Sequence, residues 1–215
     1  AFARAFLGAG AVAIVTDVKE PKDKLPAGIT FEQLDVRSDD QVAALARKLD
    51  RLDVMIHCAG RLLRHEEHKI EVFKDIVDIH LFGAVRLAGA LRPQLKASEG
   101  SIILIGSMYS YFGNPMIPAY TAAKTAIVGL TRSLAVAYAE DQIRVNAIAP
   151  GWINTEISKR GREEPAFNAK VMDRLPTKRW SEPEELAGTA VFLASPAARL
   201  INGATIPVDG GYVAS

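Results

Sequence analysis

Residues 101–135 read SIILIGSMYSYFGNPMIPAYTAAKTAIVGLTRSLA, and the next apolar run, IRVNAIA, begins at residue 143. SIILIG is short, apolar and rich in isoleucine, as a buried strand is. The stretch that starts near residue 118 is small and apolar over a length only a helix uses. Strand, helix and strand in this order make a parallel unit, because parallel neighbours need a crossover of a dozen or more residues. Tyr120 and Lys124 stand four residues apart on the predicted helix, so their side chains share one face. Ser107 lies thirteen residues before the tyrosine, at the end of the strand. A phenol ionises near ~10, and a neighbouring ammonium favours its ionised form. The three residues are read as a proton-transfer device.

The same alternation runs through the chain. Strands are predicted at 11–17, 29–35, 54–58, 101–106, 143–149 and 204–208, and helices at 39–50, 69–95, 118–140 and 182–195, with shorter turns in 155–175. This pattern predicts an α/β fold, a Rossmann-like doubly wound parallel sheet with helices on both faces. A chain of 215 residues, 49% apolar, suits a single domain over 1–215. Its net charge of +1 argues against nucleic acid or an anionic membrane as partner, since both call for concentrated cationic surface. No apolar run reaches the ~20 residues of a membrane helix. The single cysteine, Cys58, excludes an internal disulfide framework, fits a reducing cytoplasmic compartment, and is expected in the core. The four histidines lack metal-ligand spacing, so no metal site is expected, and His65 and His68 in RHEEHK are read as solvated.

Several motifs occur in a fixed order: Asp17 after a strand, Asp35-Val36, HCAG at 57–60, Ser107, YTAAK at 120–124, Pro150-Gly151 with Thr155, and Val208-Asp209-Gly210-Gly211. The ordered set resembles the short-chain dehydrogenase/reductase family, in its compact single-domain branch. The resemblance implies an oxidoreductase that moves a hydride between NAD(H) and a secondary alcohol or its ketone. Tyr120 would be the general acid/base, Lys124 would hold the nicotinamide ribose and lower the tyrosine's pKa, and Ser107 would donate to the substrate oxygen. Asp17 would take the adenosine ribose hydroxyls and repel a 2′-phosphate, which favours NAD over NADP. Asp35 and Val36 would contact the adenine, while Ala59 and Gly60 would let the backbone approach the adenosine. Pro150 and Gly151 would shape the nicotinamide pocket, with the Ile153 backbone and the Thr155 hydroxyl on its carboxamide.

The chain also departs from the family pattern. AFARAFLGAG opens inside a helix, with no strand or glycine-rich phosphate turn before it, so the first strand and that loop are expected to be absent from the given chain. The missing strand would lie between 11–17 and 54–58. His80 stands where the family has a relay asparagine, and an imidazole titrating near ~6.5 would mark the pH dependence of the rate. His57 replaces another asparagine and is read as structural, donating to a nearby backbone group. The resemblance implies that the segment 154–180 covers the substrate; its seven basic and four acidic residues could favour an anion, though long charged side chains on a lid are usually just solvated. A homodimer at least is expected, because helices 69–95 and 118–140 are apolar or small nearly all round, and the resemblance implies a homotetramer. The alternative reading is a noncatalytic dinucleotide-binding sensor or scaffold.

Overall fold

The computed structural model describes residues 1–215. Six strands are found, β1 (Ala13–Asp17), β2 (Ile29–Gln33), β3 (Val54–His57), β4 (Ser101–Ile105), β5 (Arg144–Pro150) and β6 (Thr205–Val208). Every pairing is parallel. β1 pairs only with β2, and β3–β4–β5–β6 form a second ladder, so β1 and β3 each keep one unpaired edge. The predicted strands at 11–17 and 54–58 are therefore not neighbours by hydrogen bonding.

Helices cover both faces. Side chains on β3, β4 and β5 alternate as strand geometry requires. Met55, Ile102, Leu104, Val145 and Ala147 pack with α2 (Asp39–Arg47), α4 (Gly83–Ala90) and α6 (Pro118–Ala137) through Leu45, Leu87 and Ile127. Val54, Ile56, Ile103, Ile105 and Ile148 face the other way, toward Phe2 and Phe6 of α1 (Phe2–Gly8) and Leu186 and Leu193 of α9 (Pro183–Ala194). The continuous apolar runs of the sequence are what a sheet buried on both faces demands. Ser38 caps α2 by accepting from the Gln41 N–H, with Asp39 and Asp40 at the positive end of the helix dipole.

Two stretches differ from their prediction. The single helix expected over 69–95 is three, α3 (Ile70–Val77), α4 and α5 (Arg92–Lys96), with a π turn at Asp78–Phe82 and a break at Leu91. Pro93 lacks the N–H that a continuous helix would use. The turns expected over 155–175 are two helices, α7 (Glu156–Glu163) and α8 (Pro165–Arg174). The Thr155 N–H donates to Ser158 Oγ, whose hydroxyl bonds the Ile153 carbonyl, and Pro165 opens the second helix. Cys58 is also misplaced by sequence. It lies one residue past β3 and is exposed, while the surrounding protein desolvates its thiol and pushes it up to about 11.

Candidate active site

Each parallel strand ends at one of the predicted stations: Asp17 at the end of β1, Asp35 and Val36 after β2, Ala59 and Gly60 after β3, Ser107 after β4, Pro150 and Gly151 at the end of β5, and Asp209 after β6. The carboxyl ends of parallel strands are where open α/β sheets hold their ligands.

Ser107, Tyr120, Lys124 and His80 come together. Ser110 ties the turn after β4 to α6, its Oγ donating to the Lys124 carbonyl (2.7 Å) and accepting from the Ser107 N–H (3.3 Å). The Lys124 ammonium lies 5.6 Å from the Tyr120 ring centroid and donates to the Ile105 carbonyl at 2.6 Å. It is 5% exposed and makes no ion pair, and desolvation pulls its pKa down to about 8. Tyr120 is half-buried, and desolvation pushes its phenol up to about 12, against a lowering by the nearby Ser107 hydroxyl. The expected depression of the phenol's pKa by Lys124 is thus absent from the chain alone: burial outweighs the four-residue neighbour.

His80 occupies the π turn, edge-on to Tyr120 with ring centroids 5.2 Å apart. Its Nε2 lies 2.9 Å from the Arg61 carbonyl and 3.2 Å from the Arg61 N–H, and its Nδ1 is buried without a partner. Desolvation, and then the Lys124 charge, push its pKa down to about 3. The imidazole is neutral throughout the working range, so the ionisation expected near ~6.5 is corrected. His57 donates from Nε2 to the Ile79 carbonyl (3.2 Å), the structural role read for it, and desolvation holds it near 4.

Two glycines serve packing. A Cβ on Gly60 would lie 2.2 Å from His80 Cε1, so Gly60 makes room for the imidazole, where sequence assigned it to adenosine approach. A Cβ on Gly151 would lie 2.6 Å from Asp209 Cα, joining the end of β5 to the turn after β6. Asp209 closes that turn by accepting from Gly211 N–H (3.0 Å) and Val213 N–H (2.8 Å). Asp35 is already engaged: Arg37 donates to it from its backbone N–H (3.0 Å), Nε (2.9 Å) and Nη2 (2.6 Å), which leaves less acceptor capacity for an adenine amine. Val36 is buried and Ala59 is packed against the same core. Asp17 is exposed; its Oδ1 accepts from the Lys19 N–H in an Asx turn.

A dinucleotide suits the donors that remain. The Lys124 ammonium has hydrogens beyond the one on Ile105, and no carboxylate to receive them. The Ile153 N–H makes no hydrogen bond within the chain, and the exposed Thr155 stands two residues on. Ribose hydroxyls and a carboxamide are the neutral oxygen groups such donors match. The chain contains no group of three or more His, Cys, Asp or Glu side chains placed to hold a metal ion.

Around the tyrosine, Tyr109, Trp152, Tyr212 and Phe167 pack edge to face. Sequence reasoning missed Glu67, which is 0% exposed: its Oε2 accepts from the Tyr120 N–H at 2.8 Å. Nothing in the charged run RHEEHK signals burial.

Residues 1–213 match the family model described as enoyl-(acyl carrier protein) reductase. A 2-dehydro-3-deoxy-D-gluconate 5-dehydrogenase of Bacillus subtilis is 34% identical over 98% of this chain and 88% of its own. A meso-2,3-butanediol dehydrogenase of Serratia marcescens is 34% identical over 100% of this chain and 90% of its own. The crystal structure of a gluconate 5-dehydrogenase from Burkholderia cenocepacia, in complex with NADP and tartrate, superposes with a TM-score of 0.92 at 29% identity, over 100% of this chain and 90% of that one. With strand-end stations in order and Ser107, Tyr120 and Lys124 gathered at one of them, the chain belongs to the short-chain dehydrogenase/reductase family, NAD(P)-dependent oxidoreductases of secondary alcohols and ketones.

Proposed function

We propose that this chain interconverts a secondary hydroxyl and a ketone on a small polyhydroxylated acid, with NAD(H) as its preferred cofactor. The observation that carries the reading is the buried, carboxylate-free ammonium of Lys124 on the same helix face as Tyr120, beside Ser107. The bound dinucleotide supplies or accepts the hydride. Ser107 orients the substrate oxygen, Tyr120 gives or takes a proton at that oxygen, and Lys124 holds ribose hydroxyls. Ile153 and Thr155 are proposed to hold the carboxamide, and Pro150 and Gly151 to shape the pocket wall. His80 takes part only as a neutral imidazole with its Nδ1 free. The noncatalytic alternative would still use Lys124 to hold ribose, but it leaves the Tyr120 hydroxyl beside Ser107 without a purpose.

The acid class has two supports. Relatives include gluconate-type dehydrogenases, and tartrate accompanies NADP in one solved neighbour. In this chain, the Arg64 guanidinium lies 5.4 Å from the Phe167 ring centroid, beside the aromatic cluster, and makes no ion pair. The segment 154–180, proposed to cover the substrate, contributes less charge than its composition suggests. Arg174 stacks on Tyr212 and bonds chain carbonyls, Lys178 bonds the Met172 and Asp173 carbonyls, and Arg179 pairs with Glu185. Initial rates with NADH should favour 5-keto-D-gluconate over the neutral ketone acetoin. Preference for acetoin would overturn the acid class.

NAD preference rests on Asp17, whose carboxylate would meet a 2′-phosphate with like charge. NAD should bind more tightly than NADP, and Asp17→Ala should narrow the gap; equal affinities in the unaltered protein, by calorimetry, would refute it.

Assembly into a homodimer or homotetramer is proposed from an uncovered face: Ala122, Thr125, Gly129 and Val136 line the outside of α6, Val136 at 80% exposure, and Phe82 and Val85 lie exposed by α4. Light scattering at micromolar concentration should give at least twice the monomer mass. No helix is long and apolar enough to cross a membrane. A reducing cytoplasmic setting is proposed from the single free thiol.

A further inference from the structure

α6 begins without a cap of its own. Ile117 at the N-cap offers no side-chain acceptor, Pro118 has no N–H, and Tyr120 is the third residue of the helix, where a capping side chain normally bonds. The acceptor comes from elsewhere. Glu67, in the turn Glu66–His68, lies fully buried with Oε2 on the Tyr120 N–H (2.8 Å) and Oε1 on the Leu63 N–H (3.0 Å). It is in ion-pair contact with no basic side chain. The turn is fastened to the approach to α6 by two further bonds, His65 N–H to the Met116 carbonyl (2.9 Å) and His68 Nε2 to the Pro115 carbonyl (2.8 Å). Its two oxygens thus take two N–H donors, one of them at the positive end of a 20-residue helix.

We propose that Glu67 is a positioning residue of the reaction, its carboxylate capping α6 from 53 residues away and so setting the Tyr120 hydroxyl against Ser107. The reason for spending a buried charge here is geometric. First turns fray when uncapped, and a displacement of ~1 Å at a reacting group costs about 10²-fold in rate. The same charge has a second effect, secondary to desolvation: it disfavours the phenolate. The other ionisable groups around the phenol are Lys124 on α6, His80 in the π turn and Tyr109 after β4.

The test rests on the proposed reaction and uses the full chain with NADH and 5-keto-D-gluconate. Glu67→Ala should lower kcat at least ~10-fold with the KM for NADH changed less than about twofold, and Glu67→Gln, which keeps the shape and one acceptor oxygen, should recover part of the loss. In both, the basic ionisation in the kcat profile should move to lower pH, because a negative charge behind the phenol is gone. Full kcat in Glu67→Ala, or equal damage to kcat and to NADH binding with an unmoved profile, would overturn the proposal. Amide exchange in the unaltered protein decides the case in which neither variant folds, or in which the unaltered chain turns over no keto acid. A Tyr120 amide as protected as those in the middle of α6 supports the trans cap. Exchange as fast as that of an uncapped first turn removes it.

Discussion

Tyr120→Phe lowers turnover at least ~10²-fold and leaves dinucleotide affinity nearly unchanged, because the substitution removes the proton carrier and little else. The ring stays, with its edge contacts to His80 and Tyr109, so α6 keeps its packing. Direction of reaction sharpens the expectation. Desolvation keeps the phenol protonated up to about 12, so at neutral pH it is ready to donate to a ketone oxygen. Alcohol oxidation needs the phenolate, and its rate in the unaltered protein should climb with pH where reduction does not. Steady-state rates and NADH titration by fluorescence check both parts. A phenylalanine variant with near-full turnover would remove Tyr120 from the chemistry.

Lys124→Met makes the protein more stable at pH 7 and abolishes its activity. Desolvation lowers the lysine from 10.5 to about 8, with the side chain 5% exposed. At 1.36 kcal/mol per pKa unit, holding the charge in the folded chain costs about 3 kcal/mol. Losing the bond to the Ile105 carbonyl returns about 1 kcal/mol, so a net gain of about 2 kcal/mol is expected at pH 7. Below pH 8 both folded and unfolded chains hold the proton, and the full penalty applies. Between about 8 and 10.5 the folded chain has released it while the unfolded chain has not, so the stability of the unaltered protein rises relative to the variant. Urea unfolding at pH 7 and pH 9.5 should show the gap closing. A methionine variant less stable at pH 7 would mean that the ammonium holds the fold together.

The strands were legible because a sheet covered on both faces writes itself as short apolar runs, and all six fell within a few residues of their predicted bounds. Ser107, Tyr120 and Lys124 were legible because helix spacing and a strand end place them. What local pattern could not show was set by distant contacts. The π turn at Asp78–Phe82 seats His80 against Gly60, and only the absence of a side chain twenty residues earlier makes that possible. α7 and α8 hid in a charged stretch whose order comes from Ser158 and from Arg174 on Tyr212. Glu67 lay in a run that reads as solvated, and its burial depends on α6 starting above it. The phenol's ionisation followed the same rule. A four-residue neighbour is visible in sequence, whereas the desolvation that outweighs it is not.

Hydride transfer under proton control by Tyr120 is tested most directly with NADH deuterated at nicotinamide C4 and 5-keto-D-gluconate, followed by NMR of the product. Deuterium should appear on the carbinol carbon formed from the ketone, at full rate in the unaltered protein and at least ~10²-fold more slowly in Tyr120→Phe. Label found in solvent, or transfer as fast in the phenylalanine variant, would contradict it.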